Sequence, residues 1–142
     1  MVTAEELKDL EYLPGEIANV DRTVKSLQRL PYLTDMGACQ KAECAAALTE
    51  LIQTYQKRRE MCAGQLARLR AFLDSIQDGF LRDLFRLRYE DGKEWLQVWD
   101  IIADRGFYYE PDSLRQMCKR YIEGYNRNEA ENEKNNRATA AV

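Results

Sequence analysis

The stretch DGFLRDLFRLRYEDGKEWLQVWDIIADRGFYYEPDSLRQMCKRYI, Asp78 to Ile122, decides the fold. Asp78 is placed to cap a helix in which Leu81, Leu84, Phe85 and Leu87 recur at helical spacing, and this helix is expected to end near Tyr89, before Asp91-Gly92. A second helix is expected from Lys93. It carries Trp95, Val98, Trp99, Ile101 and Ile102, too many apolar side chains for a helix facing water all round, and gives out between Ala103 and Gly106. After the aromatic turn Phe107-Tyr108-Tyr109, the run Glu110-Pro111-Asp112-Ser113 supplies proline near a helix start and acidic or hydroxyl side chains able to cap it. A third helix is expected from Leu114 to about Tyr125.

That third helix has two faces. Leu114, Met117, Cys118, Tyr121 and Ile122 fall on one apolar stripe, which must be buried against the preceding helices. Ser113, Arg115, Gln116, Lys119 and Arg120 are left outside. Two helices joined by a short glycine-containing turn, the second exposing polar and basic side chains from its first turns, is the arrangement by which a helix is placed in the DNA major groove. The same pattern also suits a helix whose charged outer face is simply solvated.

Outward from this stretch, the chain reads as further helix. Thr3-Ala4-Glu5-Glu6 has the form of a capping box, opening a helix with Leu7 and Leu10 that Pro14-Gly15 interrupts. Ile17, Val20, Val24, Leu27 and Leu30 then recur at helical spacing until Pro31. Residues 31 to 38 read as a loop. From about Cys39 to Ile76 no proline occurs, and Leu48, Ile52, Tyr55, Cys62, Leu66, Leu69, Leu73 and Ile76 follow a coiled-coil seam with a break at Arg59. A helix of that length spans about 55 Å, more than residues 16 to 30 can cover as an antiparallel hairpin. The rest is therefore expected to be covered by a second copy of the chain or by a different partner, the homodimer being favoured because closed two-fold symmetry is the commonest solution. The segment from Asn126 to Val142 is polar throughout and reads as a disordered tail. The expected organisation is a stalk over 1 to 77, a helix-turn-helix domain over 78 to 125 and a tail over 126 to 142.

Composition excludes several functions. The chain of 142 residues has no histidine, so histidine-dependent acid/base chemistry and histidine metal ligation are ruled out. Cys39, Cys44, Cys62 and Cys118 sit at irregular spacing inside helical patterns, as reduced thiols do in a reducing compartment. No run is apolar enough for a membrane-spanning helix or a secretory signal, so the protein is expected to stay in the cytoplasm where it is made. No phosphate loop, nucleophile elbow or acid pair among apolar residues is present, so neither catalysis nor a cofactor is expected. The net charge of −3 offers no general attraction to nucleic acid. Between Asp78 and Arg127, nine basic residues stand against ten acidic ones. Binding to DNA would thus rely on the local group Arg115, Lys119 and Arg120, which has no acid within it.

The run from Phe80 to Trp95, with Leu87-Arg88-Tyr89 followed by Asp91-Gly92-Lys93 and Trp95, resembles the start of the DNA-binding part of the phage late-gene transcriptional regulator family, the ArpU and RinA types. The resemblance implies a domain like region 4 of bacterial sigma factors, preceded by a long helical or coiled-coil part. Its specific motif covers only residues 80 to 95. Family members place Ile-Ala about three residues beyond the Trp, whereas here Val98-Trp99 takes that register and Ile102-Ala103 follows. Ala103, Gly106 and Leu114 fit the small, glycine and apolar order of a helix-turn-helix, so the departure reads as one inserted helical turn, a shift of about 5 Å.

The expected fold is all-α: a helical hairpin or coiled coil followed by a helix-turn-helix like sigma region 4. The expected function is a phage or prophage DNA-binding transcriptional regulator, a homodimer whose Ser113, Arg115, Gln116, Lys119 and Arg120 face double-stranded DNA. Arg115 and Gln116 suit base edges, and Lys119 and Arg120 suit phosphates. The alternative is a phage protein that inhibits a host protein such as a defence nuclease through Phe107, Tyr108 and Tyr109, since aromatic residues dominate protein interfaces. A third reading is a structural adaptor dimerised by the stalk.

Overall fold

Asp78 accepts the backbone N–H groups of Phe80 at 2.9 Å and Leu81 at 3.3 Å and so opens a helix as its side chain dictates. The computed structural model describes residues 1–30 and 38–140, with the side chains of 38–41 outside that description. Its elements are α1 (Ala4–Leu7) with a 3-10 turn over Lys8–Glu11, α2 (Leu13–Arg29), α3 (Ala38–Asp74), α4 (Gly79–Phe85) with a π turn over Arg86–Glu90, α5 (Trp95–Asp104) and α6 (Pro111–Ala140). Among the described residues every element is helical, and the fold is all-α. The loop expected over 31 to 38 lies outside the described residues, apart from Ala38, which opens α3.

Other helix starts have local causes as well. Thr3 Oγ1 accepts the Glu6 N–H at 3.1 Å, the forward half of a capping box. Pro14 lies in the first turn of α2, where its missing N–H costs nothing, so it begins this helix rather than interrupting one. α5 opens two residues later than Lys93, because Gln97 Oε1 accepts the Glu94 N–H at 3.0 Å and makes Glu94 the cap.

The chain divides into two units, Met1–Glu11 with the chain from Leu69 onward, and Tyr12–Arg68. This differs from a stalk running from 1 to 77. The first eleven residues belong with the C-terminal helices because Val2, Leu7 and Leu10 are buried there. The Val2 N–H donates to Asn126 Oδ1 at 2.8 Å, and Asn126 Nδ2 donates back to the Val2 carbonyl at 2.7 Å. The Glu11 carboxylate also approaches Gly92, whose φ of +67° is what requires glycine at the Asp91-Gly92 turn.

In this first unit the core is aromatic. Phe72 and Phe85 are fully buried and meet edge to face at 5.5 Å between centroids, with Tyr125 against Phe72 at 4.8 Å and Tyr121 5.8 Å from both. Leu69, Ile76, Leu84, Val98, Ile102 and Leu114 surround them, all buried. The tail expected to be disordered is instead helical to Ala140 as the continuation of α6. Asn126 is tied to Val2, and the Ala, Glu, Lys and Arg that follow favour a helix without needing burial.

In the second unit, α2 is joined to α3 by ion pairs of Arg58 with Glu16 and of Arg59 Nε with Asp21 Oδ1 at 2.7 Å. Arg59, where the seam breaks, is one of the pairing residues. Leu13, Val20 and Leu66 are buried, while Val24, Leu27, Leu48, Ile52, Tyr55 and Cys62 are half-buried. Surface ion pairs contribute at most about 1 kcal/mol each, so they fix register more than they stabilise.

Candidate nucleic-acid interface

The outer face of α6 is produced by what its inner face buries. Leu114, Cys118 and Ile122, one turn apart, are 0%, 1% and 7% exposed, and they fix the rotation of the helix against α4 and α5. Met117 and Tyr121, expected on the same stripe, are half-buried at its edge. On the far side Arg115, Lys119 and Arg120 are exposed, with Ser113 and Gln116 half-buried between inside and outside. The five residues expected at a DNA surface are thus gathered along the first three turns of one helix.

Two acids modify this surface. Arg115 Nη2 lies 3.0 Å from Asp112 Oδ1, one turn earlier on α6. An exposed pair at this spacing is worth about 0.3–0.5 kcal/mol, so Arg115 is steered by Asp112 but not locked to it. Glu110 accepts the Ser113 N–H through its carbonyl at 3.0 Å and leaves its carboxylate beside the start of the helix. Among the described residues Lys119 and Arg120 form no ion pair, so they are the cations of this face available to an external anion. The three-residue spacing of Asp112 and Arg115 is the sequence signal for this pair.

The turn into α6 is built on Gly106. The Gly106 N–H donates to the Ala103 carbonyl at 3.0 Å and the Phe107 N–H to the Ile102 carbonyl at 3.2 Å, a Schellman termination of α5 with Gly106 at φ +93°. The chain then folds back onto α4, where Phe107 and Tyr109 lie 5.4 and 5.5 Å from the Phe80 ring. Trp99 Nε1 donates to the Tyr109 carbonyl at 2.6 Å and holds the turn in place. The bulk of Trp99, out of place at a close helix contact, serves instead to anchor this turn. Tyr108 projects, 87% exposed.

Between the starts of α5 and α6, Trp95, Leu96, Pro111, Asp112 and Arg115 line a groove of about 310 Å³. Behind it Arg88 donates to the Lys93 carbonyl at 3.1 Å and lies 5.6 Å from the centroids of both Tyr89 and Trp95, so this arginine braces the turn rather than meeting solvent anions.

Cys118 is the one thiol near the cationic face. Burial pushes it up to about 12, so it stays protonated at neutral pH and acts as a small core residue. Burial likewise raises Tyr89 to about 12. Among the described residues no group of three or more acidic or cysteine side chains is arranged to hold a metal ion, and no helix is long and apolar enough to cross a membrane. Comparison with known protein families, characterised proteins and solved structures finds no match.

Proposed function

We propose that the protein is a DNA-binding transcriptional regulator of phage or prophage type that reads double-stranded DNA with α6 of a helix-turn-helix formed by α5 and α6. One observation carries this reading: the buried stripe Leu114, Cys118 and Ile122 turns Arg115, Lys119 and Arg120 outward, with Gln116 half-buried beside them, on the N-terminal half of a helix that follows a glycine-terminated turn. Arg115 and Gln116 have the paired donors and acceptors that match guanine and adenine edges, while Lys119 and Arg120 neutralise phosphates. The half-buried seam of α2 and α3 supports a homodimer, which would present two copies of α6 to a two-fold related site in the bacterial cytoplasm.

The test is a selected preferred duplex compared with random DNA. Arg115→Ala or Gln116→Ala is expected to cost about 1–3 kcal/mol on the preferred site and little on random sequence. Equal losses on both would reduce this face to a non-specific one. A second reading, inhibition of a host protein such as a defence nuclease, is favoured by Tyr108, whose ring is exposed on a turn that Trp99 and Gly106 hold rigid. On that reading Tyr108→Ala removes function while Arg115→Ala and Gln116→Ala leave it intact.

A further inference from the structure

A groove of about 610 Å³ opens on the other side of the aromatic turn. Phe80 and Leu81 from α4, Phe107 and Tyr109 from the turn, and Met117 and Tyr121 from α6 line it, with Asp78 and Arg120 as its charged residues. We infer that this groove docks an extended segment of a partner protein that offers an apolar or aromatic side chain next to a carboxylate.

The two charged residues decide the sign of the occupant. The Asp78 carboxylate accepts two backbone N–H groups at the start of α4 through Oδ1, at 2.9 and 3.3 Å, and is held there as a cap. Neither residue has an ion pair among the described residues, but the Asp78 carboxylate is set against the N-terminal end of α4, whose partial positive charge offsets it, whereas nothing is set against the Arg120 guanidinium, and one carboxylate satisfies it. A nucleotide would bring phosphate charge beside Asp78 as well as Arg120, whereas a side-chain carboxylate can pair with Arg120 alone. The volume suits one or two side chains rather than a helix.

The walls are set before anything binds. Phe107 and Tyr109 rest against Phe80 at 5.4 and 5.5 Å, and the Trp99 indole N–H holds the Tyr109 carbonyl at 2.6 Å. Phe107 and Tyr109 nevertheless keep 47% and 38% of their surface in water. Rigid, half-exposed aromatic walls lose little side-chain entropy when an apolar group enters, which is how aromatic side chains come to dominate protein interfaces. The docking reading stands apart from DNA binding, although Arg120 would serve both.

The experiment uses the full chain and two probes, the blocked peptide Gly-Asp-Phe-Leu-Gly and its counterpart with lysine in place of aspartate. Titration followed by amide chemical shifts is expected to move the signals of Phe80, Phe107 and Arg120 with the acidic peptide. The lysine peptide should bind about tenfold more weakly, the equivalent of one charge-assisted hydrogen bond. Arg120→Ala should produce a loss of the same size, while Lys119→Ala, one residue away but outside the groove, leaves affinity unchanged. Arg120 is exposed, so its removal leaves the core intact, and circular dichroism of the variant checks this. No binding of the acidic peptide, equal affinity for both peptides, or equal losses from Arg120→Ala and Lys119→Ala would each overturn the inference. DNA titration of the same samples is scored separately, so failure of DNA binding leaves the peptide result standing.

Discussion

In the unit made of Met1–Glu11 and the chain from Leu69 onward, Phe72 and Phe85 are fully buried and packed edge to face, with Tyr121 and Tyr125 against them. In Tyr12–Arg68, by contrast, Ile52, Tyr55 and Cys62 on the expected seam are only half-buried, and Met61 is 76% exposed. The difference is one of layers. Helices from several parts of the chain, including the first eleven residues, enclose the aromatic centre of the first unit. Two helices alone supply a single layer, which cannot cover both sides of an apolar seam.

The largest effect expected from this contrast is at Phe85. Phe85→Ala removes a fully buried ring and is expected to cost about 3–5 kcal/mol in urea denaturation, the range for a large aromatic lost from a core. A loss under about 1 kcal/mol would mean that the aromatic centre is not what closes the first unit. Next comes the seam. If a second copy covers it, Ile52→Ala should cost about 2 kcal/mol and the denaturation midpoint should rise with protein concentration. A midpoint independent of concentration, with monomeric mass by light scattering, would remove the homodimer from the account.

A smaller and purely titrational effect sharpens the comparison from the other side. Cys118 has a folded value of about 12 against an ordinary 9.0, and Tyr89 about 12 against 10.0, both raised chiefly by burial. Below pH 9 the folded and unfolded chains hold these protons alike, and their contribution is fully present. Above that, the unfolded chain releases protons that the folded one keeps, so stability falls by up to about 1.4 kcal/mol per pH unit for each such group. The expected loss therefore begins near pH 9 and continues toward pH 12. Cys118→Ala should flatten its first part, and an unchanged alkaline slope in that variant would show that the thiol is not buried as described.

Local chemistry was the legible part of the sequence. Asp78 as a cap, Pro111 at a helix start, Gly106 in the turn and the stripe Leu114, Cys118 and Ile122 all depend on neighbours within a few residues, and they can be read from spacing. What escaped depends on distance along the chain. Nothing near Val2 indicates that it will exchange hydrogen bonds with Asn126, so the grouping of the N-terminal residues with the C-terminal helices is not legible from spacing. The polar run after Asn126 has the composition of a disordered segment because it has nothing to bury, yet a helix already started can continue through good helix formers. Phe72 was overlooked because it lies beside the seam rather than on it. At the candidate site, the outward residues of α6 were named from periodicity, whereas the groove beside Arg120 exists only because the turn folds back onto Phe80.

The most direct measurement is a salt titration of full-length protein on random duplex DNA, beginning at low salt, with Lys119→Ala alongside. The account predicts binding at low salt, weakening linearly on logarithmic axes as salt rises, with the slope smaller by about one in Lys119→Ala because one phosphate contact is gone. No binding at low salt, or the same slope in both proteins, would contradict the claim that α6 meets DNA.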